Sequence, residues 1–217
     1  MQGMRSWQVW INYKDKRMLW KFDVSPQIKE FELNNNPVIV TVNKFDEESA
    51  AEFRNKVSMA HNTGQSVVPI VIDSYGGQVY SLMSMIATIK QSELPIATIV
   101  EGKAMSCGAL LFSFGNEGMR FIDPDATVMI HDVSSGQYGK VEELRANADE
   151  SMRLNKKVYK MMAENIGKKE DYFIKEIHKR GHADWFLDAE ECKKINLANE
   201  IRLPRFNVKL SVDIDFT

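Results

Sequence analysis

The stretch GKAMSCGALLFSFG, Gly102 to Gly115, sets Ser106 and Cys107 side by side among glycines, alanines and apolar residues. A serine hydroxyl becomes a nucleophile only when a base takes its proton, and the usual base is a histidine oriented by a carboxylate. Small residues also gather wherever two backbones pass closely, so this segment alone supports a packing serine as readily as a reactive one. Of the four histidines, His61 falls near the polar end of a helical stretch, and His178 and His182 lie in the charged run IHKRGHAD. His131 alone closes an apolar strand-like run, TVMIH, directly before a turn with Gly and Ser, where site residues tend to emerge from a fold. Acyl transfer also needs backbone N–H groups aimed at a developing oxyanion. Ser74-Tyr75-Gly76-Gly77 ends another apolar run at two glycines, where backbone can approach a substrate with no side chain between them. An ordinary strand-to-helix turn would look the same.

These residues need a scaffold, and the chain has the means to build one. Its 217 residues are 44% hydrophobic, enough for one large α/β domain with a real core. The formal charge of −2 comes without a basic stripe, which argues against nucleic acid as a partner. No signal-peptide pattern opens the sequence and no long apolar run could span a bilayer, so a cytoplasmic protein with no membrane partner is expected. Two cysteines, Cys107 and Cys192, stand in neither CxxC nor Cys/His spacing and read as reduced thiols, with no metal site.

WQVWINYKDKRMLWKF suggests a hairpin or two short strands. VIVTVN, VVPIVIDS, IATIVEG and TVMIHDV read as strands; DEESAAEFRNKVSMAHN, with Asp46 as N-cap, and QVYSLMSMIATIKQS read as the helices between the first three. This alternation predicts parallel pairing. GKVEELRANADESMRLNKKVYKMMAENIG is a helical run of roughly 40 Å, with Val141, Leu144, Ala148, Val158 and Met162 on its apolar stripe. That is longer than one small domain needs, and part of the stripe is expected to meet another subunit. Shorter helices are expected at KKEDYFIKEIHKRG and DAEECKKIN, and the tail RFNVKLSVDIDFT alternates like an edge strand.

In order along the chain, IDSxGG, GxAxSxGA and VMIH resemble the proteolytic subunit of the Clp protease, ClpP, over about Val38 to Ile201. The most specific pieces are GKAMSCGALLFSFG, GMRFIDPDATVMIH and DWFLDAEECKKINLANEI. The resemblance implies an α/β, ClpP/crotonase-like fold of stacked βαβ units with a long protruding helix. It divides the chain into an extension at residues 1–37, a peptidase domain at 38–201 and a C-terminal extension at 202–217. It makes Ser106 the nucleophile, His131 the base and Asp184 the triad aspartate, with the oxyanion held by the N–H groups of Gly77 and Cys107. Peptide substrate would lie as an added strand along Gly76, Gly77, Gln78 and Val79 and along Ser134 and Gly136. The order Ser, His, Asp along the chain differs from those of chymotrypsin, subtilisin and the α/β-hydrolases.

The family also implies heptameric rings, stacked in pairs as a tetradecamer, acting on peptides or unfolded proteins with no cofactor of its own. ATP would be used by an AAA+ unfoldase partner, since this chain has no GxxxxGK[ST]. The sequence departs from the family at Tyr75, where a proline is usual, at Asp132-Val133 after the base, and at Pro69, Val71 and Asp123. The last three fall where the family lines its unfoldase pockets with aromatic or aliphatic residues, so docking of a standard unfoldase is disfavoured. A processing protease of the same fold, of the phage type, and a non-catalytic structural subunit are the alternatives. A Ser/Lys enzyme or an acyl-CoA enzyme of crotonase type would leave part of the Ser/His/Asp set without use.

Overall fold

The computed structural model describes residues 8–13, 16–21, 37–136 and 138–206. The chain divides into two compact units, Met1–Asn36 and Pro37–Thr217. In the first, β1 (Gln8–Tyr13) and β2 (Lys16–Lys21) pair antiparallel from Gln8↔Lys21 to Tyr13↔Lys16, the hairpin expected from the aromatic runs on either side of YKDKR.

The second unit alternates strands and helices. It runs β3 (Val40–Val42), α1 (Glu47–Ala60), β4 (Val68–Ser74), α2 (Val79–Gln91), β5 (Ile96–Met105) and α3 (Cys107–Phe112). Then follow β6 (Arg120–Ile122), β7 (Thr127–Ile130), α4 (Val141–Asn165), α5 (Tyr172–Lys179), β8 (Trp185–Leu187), α6 (Ala189–Lys194) and β9 (Glu200–Ile201). The sheet order is β3-β4-β5-β6-β9, all parallel, with β7 also parallel to β5 and β8 antiparallel to β7. The first part of β5, Thr98 to Val100, pairs with β6, and its end, Lys103 to Met105, pairs with β7. β5 thus carries two successive partners along its length, and its C-terminal end, where Ser106 follows, is braced by β4 and β7.

Local chemistry accounts for these elements. Asp46 caps α1 by accepting from the Ser49 N–H at 2.8 Å while the Ser49 hydroxyl accepts from the Asp46 N–H at 2.9 Å, a reciprocal pair that satisfies two end donors. Ala50, Phe53, Val57 and Ala60 recur on the buried face of α1, and Leu82, Met85, Ile86 and Ile89 on that of α2. The residues of α3 are all buried, which makes this short helix a plug beneath the sheet rather than a surface element.

Three features depart from the expected elements. β6, β8 and β9 are strands of three, three and two residues, too short to leave a pattern in the sequence. The strand expected through TVMIHDV stops at Ile130, so His131 follows the ladder rather than closing it. The apolar stripe of α4 also divides: Leu154, Val158, Tyr159, Met162 and Ala163 are buried, whereas Val141 and Leu144 are 71% and 41% exposed. At 25 residues α4 is about 37 Å long, and its first half is mostly exposed. The edge strand expected in the tail lies mostly outside the described residues.

Arg120, at the start of β6, is 1% exposed. Its guanidinium donates to the carbonyls of Leu197, Gly115 and Asn196, each at 3.1 Å, and to the Glu117 carboxylate at 3.1 Å. A charge so enclosed is tolerable only because these acceptors surround it. Arg120→Met keeps most of the volume but strands the carbonyls. A loss of at least about 3 kcal/mol is expected in urea denaturation, since each orphaned buried acceptor costs on the order of 1 kcal/mol or more. An unchanged denaturation midpoint would contradict this account of the arginine.

Candidate active site

Ser106 joins β5 to α3 with φ 55° and ψ −117°, a backbone region that side-chain-bearing residues rarely adopt. Such conformations cost roughly 1–3 kcal/mol and persist only where the surroundings impose them. Here the Ser106 N–H donates to Met129 O at 2.8 Å, and its carbonyl accepts from the Leu110 N–H at 3.2 Å. Gly76 closes the other side: a Cβ on it would lie 2.7 Å from the Ser106 Cβ and 3.2 Å from its hydroxyl oxygen. The first glycine of SYGG is therefore required by Ser106 itself. The second is required by Phe45, whose carbonyl oxygen would be 2.5 Å from a Cβ on Gly77.

Cys107 begins α3, where a helix has no preceding turn to receive its N–H. Its thiol donates to Gly77 O at 3.3 Å, tying the SYGG turn to the start of the helix. Ser106, Cys107, Gly77, Val79, His131 and Ser134 all line one cavity of about 70 Å³, completed by Leu82, Leu110, Ile130, Val133, Tyr159 and Met162 among others. Gln78 is exposed and is fixed by its N–H donating to Phe45 O at 2.8 Å. Gly136 is exposed in the segment after His131, outside the cavity lining.

His131 and Asp184 approach each other because β7 and β8 pair antiparallel. The last rung is Ile130↔Trp185, so the next residue on each side is His131 and Asp184. Nδ1 of His131 lies 3.9 Å from Oδ1 of Asp184, an ionic separation longer than a hydrogen bond, with the carboxylate side chain 52% exposed.

A second histidine and carboxylate lie beside them, a pairing that sequence reasoning missed. Nδ1 of His182 is 2.6 Å from Oδ2 of Asp132, and Oδ1 of Asp132 accepts from Asn155 Nδ2 at 2.7 Å and from the Tyr159 hydroxyl at 3.1 Å. Burial alone would raise the Asp132 carboxyl, but the hydrogen bonds from His182, Asn155 and Tyr159 outweigh it and hold the group below the usual carboxylate range. The register of β7 against β8, carried on past the ladder, sets residues 131–133 opposite 182–184, and a strand as short as β8 leaves no signal of it in the sequence.

Lys103, three residues before the serine, is engaged elsewhere. Its ammonium bonds Asp73 at 2.8 Å and lies 4.5 Å over the Tyr75 ring; the bond to Asp73 raises its pKa. A lysine held protonated in this way is a poor general base. A second hollow, of about 520 Å³, lies at the opposite end of β5, lined by Ser92, Ser113, Asn116 and Arg120 among others. Its serines are occupied, Ser113 donating to Leu110 O at 2.7 Å and Ser92 to Leu94 O at 2.9 Å. The smaller cavity is therefore the site with chemical capacity. Among the described residues no group of three or more His, Cys, Asp or Glu is placed to hold a metal ion.

The family model described as Clp protease matches residues 27–205. The chain belongs to the Clp protease family. Family membership supports a ClpP-like peptidase, and the mixed α/β architecture with a mainly parallel sheet agrees with the ClpP-like fold. No helix among the described residues is long and apolar enough to cross a membrane. In this Clp protease family member Tyr75 occupies the turn position where the resemblance leads one to expect proline; it is exposed, with the Lys103 ammonium over one face of its ring. Pro69 is buried, while Val71 and Asp123 are half-buried.

The thiol next to Ser106 differs sharply from the hydroxyl. Burial pushes the Cys107 pKa up to about 11, so it is a neutral thiol at ordinary pH. Iodoacetamide at pH 7.5 is expected to leave Cys107 unmodified in the native protein and to alkylate it after unfolding, as peptide mass spectrometry would record. Rapid native alkylation would reinstate a cysteine nucleophile.

Proposed function

We propose that this Clp protease family member is a serine endopeptidase. The observation that carries the reading is the strained Ser106 turn, pinned between Gly76 and Met129 and opening on the same cavity as His131. His131 takes the Ser106 proton as the hydroxyl attacks the scissile carbonyl, and returns it to the leaving amine. The N–H groups of Gly77 and Cys107 stabilise the oxyanion. Asp184 orients and charge-balances the imidazole, and the 3.9 Å separation shortens to a hydrogen bond in the substrate complex, as is common for catalytic contacts. Water then hydrolyses the acyl-enzyme by the same base. No metal or organic cofactor takes part.

Peptide lies extended beside Gly76 to Val79 and the segment from Ser134 to Gly136, adding a strand and seating one side chain in the apolar part of the cavity. Substrates are peptides or unfolded proteins, confined in heptameric rings stacked as a tetradecamer in the cytoplasm. The exposed first half of α4 supports such assembly, because Val141, Leu144 and Ala148 have no cover among the described residues. A AAA+ unfoldase would bring the ATP, and the half-buried carboxylate of Asp123 favours a variant that acts as a processing protease without one.

Ser106→Ala is expected to abolish both labelling by a fluorophosphonate probe and hydrolysis of a fluorogenic peptide, by about 10³-fold or more in kcat, with assembly intact. His131→Ala should be nearly as damaging and His61→Ala harmless. Peptide turnover retained by the Ser106→Ala protein removes the serine mechanism.

Assembly has its own test. Leu144→Glu with Ala148→Glu places two charges where the rings are proposed to meet, and light scattering should show dissociation with peptide cleavage lost alongside. A dissociated double variant with full activity refutes the confinement model.

A further inference from the structure

The antiparallel ladder of β7 and β8 ends at Ile130↔Trp185, before either His131 or Asp184. Beyond that rung the two segments are joined through side chains, and the short contact is Asp132 to His182 at 2.6 Å rather than His131 to Asp184 at 3.9 Å. Asp132 is a fixed post. Its other oxygen is held by Asn155 and Tyr159 from the buried half of α4, and Asn155 also accepts from the Val133 N–H at 3.1 Å. Tyr159 stacks on Phe173, and Phe173 in turn meets Trp185 at the start of β8.

His182 sits on the turn that delivers Asp184. Its N–H donates to Ile177 O at 3.1 Å, that of Gly181 donates to His178 O at 3.0 Å and that of Ala183 to Arg180 O at 3.3 Å. Gly181 and His182 both have φ 63°. Glycine adopts this conformation freely, but histidine does so against the clash of its Cβ. The turn accepts that strain at the residue whose imidazole reaches Asp132.

We propose that Asp132 and His182 are positioning residues, whose hydrogen bond carries the Asp184 turn up to His131 and so sets the orientation of the base. This rests on the serine-peptidase reading above. Neither residue touches the reacting atoms. The pair acts through Asp184, and its loss would leave the carboxylate on a turn tethered to β7 only by the ladder behind it.

The test is a double-mutant cycle on the assembled full-length protein, after fluorophosphonate labelling of the wild type. His182→Ala is expected to lower kcat on a fluorogenic peptide by on the order of tenfold or more, the scale of a small misplacement in an active site, with KM little changed. His182→Asn, which can present a donor where Nδ1 stood, should restore most of the loss. Asp132→Ala should reproduce the His182→Ala defect, and Asp132→Asn, which keeps the acceptor for Asn155 and Tyr159, should be milder. In an Asp184→Ala background the addition of His182→Ala should change kcat no further, because residues that act as one unit are not additive. An equal factor in both backgrounds, or full kcat in His182→Ala alone, overturns the proposal while the labelled wild type leaves the serine reading standing. A wild type that the probe does not label overturns both. Melting curves check that His182→Ala folds; if it does not, the same cycle run with Asp132→Asn and Asp184→Ala decides, additivity there being the refuting result.

Discussion

Everything at the site depends on one strained peptide unit, the turn at Ser106 between β5 and α3. A backbone at φ 55° and ψ −117° does not hold itself, and the surrounding fold can be read as what enforces it. β7 supplies an acceptor at Met129, the SYGG turn presses Gly76 against the serine, and α3 is buried along its whole length so that the turn cannot relax by sliding the helix outward. The central place of β5, with partners on both edges, gives that turn a rigid base. The same geometry that strains the backbone directs the hydroxyl into the cavity shared with His131.

The histidine side of the site is built on a different principle. His131 and Asp184 come from the ends of two short strands, and their spacing is governed by a ladder of three rungs and a few side-chain hydrogen bonds. Backbone strain fixes Ser106; hydrogen-bond register fixes His131. The first half tolerates little change, because a single methyl group on Gly76 collides with Ser106, whereas the second rests on side-chain contacts between partly exposed groups, with His131 and Asp184 3.9 Å apart.

How much of this was legible in the sequence follows from the range of the forces involved. The helix α1 and its cap at Asp46, and the apolar runs of β4 and β5, are written in spacings of a few residues and were readable directly. The segment around Ser106 could be marked as a candidate, but its strain could not, because the residues that impose it, Gly76 in the turn after β4 and Met129 in β7, lie far from it along the chain. β6, β8 and β9 exist only by pairing with strands already in place, and two or three residues hold no period. The contact of Asp132 with His182 spans fifty residues and depends on the β7/β8 register, so His182 read as one more polar residue in a charged loop.

The arginine cage has a consequence for the order in which the molecule is made. Arg120 needs carbonyls at Asn196 and Leu197, more than seventy residues later in the chain, and β6 waits for β9 at Glu200–Ile201 before its outer edge is paired. During synthesis the segments bearing Ser106 and His131 emerge long before these closing partners. Until residues 196–201 arrive, a buried-type cation and an open sheet edge keep the unit from completing its core, and contacts of such long sequence separation form late. A unit whose cage and outer sheet edge close only with residues 196–201 stays incomplete while the segments bearing Ser106 and His131 are already made, so the site's parts exist in the chain well before the frame that holds them.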